Sequence, residues 1–325
     1  MSVTPRVSVM IPTFNYGHFL DETIQSVLSQ TYTDYELIIV DNNSTDNTDS
    51  VVAKYLSDGR IRYYKNETNL GLVGNWNRCL ELSTGEYLKF LCADDKFRPT
   101  ILEKYVALMD EYPKLTMVSC NKQVFGEYNY EVNLTLTHYQ TGKDVNFHML
   151  YGYQGVGEPS SIIFRRREFE KIGYMQGRFE QYVDLDYWLK LLALGDCYLV
   201  PEILVDVRFH PGTVSNQVKR KKYQRCFEEY QIRKDVQQHV YGIDTSNTRI
   251  DEMVHKYAIA CVKAAMLKTA TSLHKKQSRQ AFAKAFKIAW KENLFKSTMN
   301  ELSAGLRRKL YRNIRGTKMA ISKNS

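Results

Sequence analysis

The chain has few of the features that mark membrane-spanning, disulfide-bonded or zinc-binding proteins. None of its apolar stretches approaches the unbroken length needed to cross a bilayer, which argues against a membrane-embedded helical protein. Its six cysteines are scattered, and none forms a close pair with the spacing of a zinc or redox site. No charged-then-apolar leader precedes the first strand-like segment. These absences favour a reduced protein of the cytoplasm.

Two further absences concern the fold. No Gly-x-Gly-x-x-Gly motif follows the first predicted strand, which argues against a dinucleotide-binding dehydrogenase. Proline, which occurs seven times in the 325 residues, is absent after Gln217. Because proline interrupts helices, its absence favours a helical C-terminal region. We therefore predict one domain over residues 1–216 and a helical region over residues 217–325.

The first part of the chain alternates between strand and helix patterns. Ser44 and Thr45 are typical capping residues, so one helix is expected to run from them through Tyr55. The near-continuous apolar strands in this alternation predict a mixed α/β sheet, mostly parallel, with helices on both faces. The other elements predicted from periodicity are strands at 6–11, 36–40, 61–64 and 86–91 and helices at 18–30 and 73–82.

Clusters of polar residues follow three of the predicted strands. They are Thr13-Phe14-Asn15, Asp41-Asn42-Asn43 and Asp94-Asp95. In open parallel sheets, ligands bind beyond the carboxyl ends of the strands. The three clusters are therefore expected to converge on one binding site.

The adjacent carboxylates of Asp94 and Asp95 have two interpretations. An Asp-Asp pair is commonly a solvated turn or a helix cap. At the end of a buried strand, two like charges also suit a divalent cation that keeps several waters and shares its other positions with phosphate oxygens. One carboxylate would then hold the metal while its neighbour binds a different group.

Three stretches, in this order, resemble the family 2 glycosyltransferases of the GT-A fold. They are VSVMIPTFNYGHFLDETIQSVLSQTYTDYELIIVDNNSTD, NLGLVGNWN and GEYLKFLCADD. The resemblance covers roughly residues 5–215 and fails in the helical C-terminal region. It implies a GT-A sheet and an inverting enzyme that uses nucleotide-diphosphate sugars, with UDP-sugars favoured.

The resemblance implies a donor site at the strand ends. Asp94 would face the ribose, and Asp95 would hold Mn²⁺ or Mg²⁺ against the diphosphate. Asn77 would also contact the nucleotide sugar. The nucleobase and ribose pocket would be lined by Pro12, Thr13, Phe14, Asn15 and Asp41.

The resemblance also implies a catalytic base. The segment VDLDYW stands where the family usually has Glu-Asp-x-x-x-Trp, which makes Asp184 the expected base and Asp186 the alternative. Asp184 opens an apolar helix, so partial burial is expected to raise its pKa towards a useful value. The competing interpretation is that Asp184 only caps this helix.

Three more residues take their expected roles from their place in the family pattern. His210 would touch the metal or the diphosphate, although a lone histidine near a strand end is more often structural. Glu158 and Ser160 would lie on the sugar or acceptor side of the site. With a metal holding the leaving diphosphate, inverting transfer needs one carboxylate base and one metal-binding carboxylate.

The sequence departs from the family pattern at three places. The common Asp-Asp-Gly-Ser is here Asp41-Asn42-Asn43-Ser44, which replaces a carboxylate by an amide. The frequent Arg-Asn pair is Trp76-Asn77, which removes a cation near the nucleotide, and the Glu before the base is Val183. The metal-binding Asp and the base are kept, but the nucleotide and sugar are less well specified.

The net charge of +9 is concentrated towards the C-terminus. Residues 300–315 would form a helix with one leucine-rich stripe and a basic remainder, which is typical either of a packed helix or of a helix at an anionic membrane surface. The protein would then be cytoplasmic or peripheral at the inner face of the membrane, with a glycan or lipid-linked glycan as acceptor. The alternatives are a nucleotide-sugar-binding protein without catalysis and a nucleic-acid-binding protein acting through the basic tail. Nucleic acid is not the expected partner, because the core lacks a recognition signature.

Overall fold

The computed structural model describes residues 4–152, 155–213, 222–243, 245, 249–272 and 276–294. They belong to two compact units. The first consists of Met1–Thr213 together with Tyr241–Ile243, and the second of Val214–Val240 and Asp244–Ser325. The assignment of Tyr241–Ile243 to the first unit has no counterpart in the sequence pattern, which treats everything after 217 as one helical region.

The N-terminal half of the sheet is parallel, with β1 at its centre. β1 pairs with β2 on one side and with β4 on the other, and β3 lies outside β2. Every residue of β2 is buried, as expected for a strand covered by helices on both faces. The elements of this half are β1 (Val7–Thr13), α1 (Gly17–Leu28), β2 (Tyr35–Asp41), α2 (Thr48–Ala53), β3 (Ile61–Lys65), α3 (Gly71–Leu82) and β4 (Tyr87–Phe90).

The second half of the sheet mixes strand directions. β9 (Ile163–Arg165) lies antiparallel between β4 and β6 (Leu115–Gly126), and β6 pairs in parallel with β10 (Asp196–Phe209). The short strand β5 (Lys96–Phe97) closes the edge against β10. The strand order is β3-β2-β1-β4-β9-β6-β10-β5. The predicted mixed α/β fold is confirmed.

The remaining elements of the first unit surround this half of the sheet. Two three-residue strands extend it: β7 pairs with β6, and β8 pairs with β10. A 3-10 turn over Pro159–Ser161 precedes β9. The new elements are β7 (Tyr130–Val132), β8 (His138–Gln140), α4 (Ile101–Glu111), α5 (Gly142–Leu150), α6 (Arg166–Ile172) and α7 (Val183–Leu194).

The helix expected from Ser44 to Tyr55 is shorter than predicted. It begins at Thr48, because Ser44 and Thr45 make other contacts. The Ser44 hydroxyl accepts a hydrogen bond from the backbone N–H of Asn15, and the backbone N–H of Thr45 donates to the Asn15 side chain. The two residues thus connect the loops after β1 and β2.

The described part of the second unit is helical. It contains α8 (Lys222–Gln237), α9 (Ile250–Ser272) and α10 (Lys276–Lys291). Small side chains bring α9 and α10 together, since Val262 and Ala265 are buried with Ala281, Ala285 and Ala289. Among the described residues no helix is long and apolar enough to span a bilayer. The predicted helix over 300–315 lies outside the described residues.

Candidate active site

Asp41, the last residue of β2, connects the loop that follows this strand to β3. Its carboxylate is fully buried and accepts hydrogen bonds from the Ser44 backbone N–H and the Tyr63 hydroxyl, both at 2.9 Å. Asn15 and Asn43 have left-handed backbone angles, with φ of 57° and 65°, which asparagine tolerates better than most residues. Asp41 therefore anchors the loop after β2, which Ser44 and Thr45 connect to Asn15 in the loop after β1.

The other predicted pocket residues lie at the end of β1. Pro12 is in the strand opposite Val40, and Phe14 is 42% exposed beside it. Thr13 is buried, and its hydroxyl has no hydrogen-bond partner among the described residues. A buried donor without a partner is uncommon, so the Thr13 hydroxyl is a candidate contact for a bound molecule.

The Asn77 side chain is paired with the backbone of Met175. Its side-chain amide donates to the Met175 carbonyl at 3.0 Å, and its carbonyl accepts from the Met175 N–H at 2.9 Å. This reciprocal pair uses both groups of the side chain to fix the loop before α7. The expected nucleotide contact is therefore not favoured by the structure.

The Asp95 carboxylate is buried and occupied by protein groups. One oxygen accepts from the Ser160 hydroxyl at 2.5 Å, and the other accepts from the Arg208 backbone N–H at 2.8 Å. Ser160 is itself fully buried and also accepts from the Cys92 N–H. Asp95 and Ser160 thus join β4, the 3-10 turn and β10. This arrangement suits neither Asp95 as a metal ligand nor Ser160 as an acceptor contact.

Asp94 points in a different direction. Its Oδ2 lies 3.2 Å from Nε2 of His210, which follows β10. The His210 ring packs against Phe19 and Tyr16, with centroid distances of 5.0 and 5.7 Å. Burial and the nearby charge of Asp94 raise the pKa of the Tyr16 hydroxyl. The structure therefore brings the start of α1, Asp94 and His210 to one place.

Both adjacent carboxyls are held away from water. Burial raises the pKa of Asp94 despite the opposing effect of His210 and Arg208. Burial raises the pKa of Asp95 well above its usual range, and the charge of Asp94 adds to the rise. Two buried like charges destabilise one another, so a cation at this place would be favourable.

The residues at Asp94 fit a divalent ion that takes only a few protein ligands. Within the described residues there is no group of three or more His, Cys, Asp or Glu side chains that could hold a metal. Asp94 and His210 offer one oxygen and one nitrogen, which Mn²⁺ accepts. Nδ1 of His210 accepts from the Gly212 N–H at 3.2 Å, so the ring proton lies on Nε2. Metal binding at Nε2 would require the tautomer with the proton on Nδ1, which would replace the contact with the Gly212 N–H.

Arg208 and Lys89 are two site-supporting residues that sequence reasoning missed. The Arg208 guanidinium lies between the rings of Phe19 and Phe125, at 4.5 and 4.4 Å, and donates to the Asp94 carbonyl. Lys89 is fully buried in β4, and its ammonium donates to the Ser160 carbonyl. A lysine inside an apolar strand was the signal available for Lys89.

Asp184 opens α7 and keeps part of its surface exposed. Burial raises the pKa of its carboxyl to about 6, with a further contribution from the charge of Glu158. The carboxylate also accepts a hydrogen bond from the backbone N–H of Leu185, and this bond opposes the rise in pKa. The direction of the shift agrees with the sequence expectation. A carboxyl with this pKa is ionised near neutral pH and still basic enough to accept a proton.

Asp186, the alternative base, is committed to a buried ionic network. It is 1% exposed and is bound by Arg178, by Lys190 at 2.8 Å and by the Tyr241 hydroxyl at 2.7 Å. Tyr241 belongs to the segment that joins the first unit from beyond α8. Asp186 therefore holds this segment to α7 and is not positioned to take a proton from a substrate.

Glu158 precedes the 3-10 turn and forms an ion pair with Lys122 of β6. Its second oxygen accepts from the Ser161 hydroxyl at 3.0 Å. Its charge contributes to the raised pKa values of both Asp184 and Asp95. The role of Glu158 on the sugar or acceptor side stays a prediction.

Comparison with known proteins agrees with this architecture. EpsE of Bacillus subtilis (strain 168), which is named as a glycosyltransferase, is 31% identical over 216 residues, covering 64% of this chain and 74% of EpsE. Among solved structures, Staphylococcus aureus TarS 1-349 in complex with UDP-GlcNAc matches with a TM-score of 0.66 at 16% identity, over 86% of this chain and 79% of TarS. The mannosyltransferase PcManGT of Pyrobaculum calidifontis, in complex with GDP-Man and Mn²⁺, matches with a TM-score of 0.55 at 18% identity, over 90% and 88% of the two chains.

These structural matches are below 25% identity and therefore concern the fold. The family model supplies the stronger finding. The model named "Glycosyl transferase family 2" matches residues 8–173, which run from β1 through the Asp pair to α6. With the named relatives, this match shows that the chain is a glycosyltransferase that belongs to glycosyl transferase family 2.

Proposed function

We propose that this glycosyltransferase moves a sugar from a UDP-sugar to a hydroxyl of a glycan or lipid-linked glycan, with inversion at the anomeric carbon. The observation that carries the proposal is the contrast between Asp184 and Asp186. Asp184 is partly exposed with a pKa of about 6, whereas Asp186 is buried in an ionic network. One carboxylate of α7 is thus available as a base.

In the proposed reaction, the oxygen of the acceptor hydroxyl attacks the anomeric carbon. Asp184 accepts the proton of that hydroxyl in the same step. The bond from that carbon to the diphosphate oxygen breaks on the opposite face, and the nucleoside diphosphate leaves. One base is sufficient for this displacement, provided that the charge on the leaving diphosphate is stabilised. Glu158, beside Asp184, would orient the sugar or the acceptor.

A bound Mn²⁺ or Mg²⁺ would supply that stabilisation by neutralising the diphosphate. We assign its protein ligands to Asp94 and His210. Asp95, which the sequence pattern favours for this role, would instead hold the backbone in place through Ser160 and Arg208. The proposed carboxylate ligand of the metal is therefore Asp94, whereas the sequence pattern predicts Asp95.

Support for a nucleotide site comes from the end of β1. Phe14 offers an exposed ring on which a base can stack, and the Thr13 hydroxyl lacks a partner among the described residues. TarS is solved with UDP and UDP-GlcNAc, and PcManGT with GDP-Man. We favour UDP because TarS has the higher TM-score of the two. A protein that only binds nucleotide sugars is less well supported, since it would have no use for the raised pKa of Asp184.

The test is a panel of nucleotide sugars, each incubated with and without Mn²⁺, in which donor hydrolysis and thermal stabilisation are measured. Asp184→Asn should abolish turnover of the preferred donor and keep its thermal stabilisation. Asp144→Asn is the matched control, because Asp144 stands in the first turn of α5 as Asp184 does in α7. Equal turnover of Asp184→Asn and Asp144→Asn would contradict the proposal.

A further inference from the structure

Helix α10 (Lys276–Lys291) has one face that its neighbour covers and one that the described residues leave exposed. On the covered face, Ala281, Ala285 and Ala289 are 1–2% exposed and pack against α9. Alanine at every fourth position brings two helix backbones close together. This face accounts for the docking of α10 and leaves the rest of its surface unexplained.

Aromatic side chains lie next to the covered face. Phe286 is 43% exposed and Trp290, one turn later, is 78% exposed, which is the highest value among the exposed large hydrophobic side chains of the described residues. Phe282, one turn earlier, is partly buried, and its ring centroid lies 6.5 Å from that of Phe286. The three rings form a stripe along the helix. Phe286 and Trp290 are the exposed part of this stripe and form a candidate interaction surface.

The remaining surface of α10 is basic. Arg279, Lys284, Lys287 and Lys291 are all exposed, and no Asp or Glu occurs between Lys276 and Lys291. At 100° per residue, Arg279 and Lys287 fall on either side of the Trp290 direction. Cations therefore border the aromatic stripe without an acidic partner in the same helix.

This combination suits a lipid surface better than a nucleic acid. Tryptophan and phenylalanine at the edge of a helix favour the boundary between headgroups and acyl chains, while lysines beside them meet anionic headgroups. Nucleic-acid sites that use aromatic rings set them in a basic groove that follows the backbone. A single convex helix provides no such groove.

We propose that the exposed face of α10, defined by Phe286, Trp290, Arg279, Lys284 and Lys287, binds the surface of an anionic bilayer. Its residues belong neither to the predicted helix over 300–315 nor to the candidate active site. It holds the transferase at a membrane with the rings in the headgroup boundary and the cations at the lipid phosphates. The inference goes beyond the proposed function and needs no catalytic activity.

The experiment measures sedimentation of the full chain with vesicles of phosphatidylcholine containing phosphatidylglycerol, and with vesicles of phosphatidylcholine alone. Wild-type protein should sediment with the anionic vesicles only, and less at high salt. The double variant Phe286→Ala, Trp290→Ala should lose at least about tenfold in partitioning. The triple variant Arg279→Gln, Lys284→Gln, Lys287→Gln should lose on the order of a hundredfold. Tyr128→Ala, an exposed aromatic of the first unit, is the control and should sediment like wild type.

Fluorescence locates the contact directly, because Trp290 is the exposed member of the three tryptophans while Trp76 and Trp188 are buried. Anionic vesicles should shift the emission to the blue and protect it from iodide. The proposal would be overturned if vesicles left the iodide quenching of Trp290 unchanged and both the double and the triple variant still bound vesicles. Binding would then belong to another segment. A Trp290 already shielded from iodide in the free protein would also overturn the proposal. Protection by single-stranded DNA but not by vesicles would identify a nucleic-acid surface instead.

Discussion

Asp94 and Asp95 are neighbours in the chain, yet their carboxylates have different surroundings. Asp95 is closed in by Ser160 and Arg208, whereas Asp94 meets the imidazole of His210 at 3.2 Å. The two residues lie in the connection between β4 and β5, which directs the Asp95 carboxylate into the interior and the Asp94 carboxylate towards His210. This difference leads to opposite predictions for the two residues.

Asp94→Ala should remove Mn²⁺-dependent affinity for UDP and leave the thermal midpoint nearly unchanged. Its carboxylate has His210 as its side-chain partner, and Asp94 is the proposed metal ligand. Isothermal titration of UDP with and without Mn²⁺ measures the effect. Retention of the Mn²⁺-dependent part of the affinity would exclude Asp94 as the ligand.

Asp95→Ala should mainly destabilise the fold. It leaves a buried Ser160 hydroxyl and the Arg208 N–H without their acceptor, which costs about 1–3 kcal/mol for each group. Urea unfolding measures this loss. An Asp95→Ala protein of wild-type stability that no longer binds Mn²⁺ would return the metal to Asp95.

The rate of transfer should depend on the ionisation of Asp184. The carboxylate form is the base, so kcat should be constant above the pKa of about 6 and fall as pH drops through that value. Asp184→Asn should be inactive throughout this range. A flat profile between pH 5 and 8, with chemistry shown to limit the rate, would contradict the assignment.

Asp184→Asn should also stabilise the protein at high pH. The folded state raises the pKa of this carboxyl above its unfolded value, so ionisation between about pH 4 and 6 weakens the fold. The neutral amide removes this effect, with a gain on the order of 1 kcal/mol at pH 8 that disappears at pH 4. Urea unfolding at the two pH values measures this gain. Asp186→Asn should instead lower the free energy of unfolding at pH 8, because it breaks an ionic network.

The buried Lys89 should make the free energy of unfolding depend on pH in the alkaline range. Burial lowers the pKa of its ammonium to about 7, so between pH 7 and 10 the unfolded chain holds a proton that the folded protein has released. Stability then rises with pH by up to about 1.4 kcal/mol per unit. Lys89→Met should remove this rise, and Lys104→Met, at a half-exposed ion pair, should keep it. Equal slopes in the two variants would contradict the shift at Lys89.

Local sequence patterns were sufficient for much of the first unit. A strand end is visible wherever an apolar run stops at a polar residue, so Asp41 and Asp94 were placed at strand ends without any tertiary information. The amphipathic stripes of α1 and α3 and the start of α7 were visible for the same reason, since each depends on residues within a few positions of one another.

Only the tertiary structure decided how the polar side chains of the site are used. Ser160 and Arg208 lie 65 and 113 residues from Asp95, and Met175 lies 98 residues from Asn77. Nothing local indicates that these groups satisfy one another. The same holds for Tyr241, which returns to the first unit and binds Asp186 from 55 residues away. Periodicity fixes which face of an element is apolar, but the partner of a buried polar group depends on packing between elements distant in the chain.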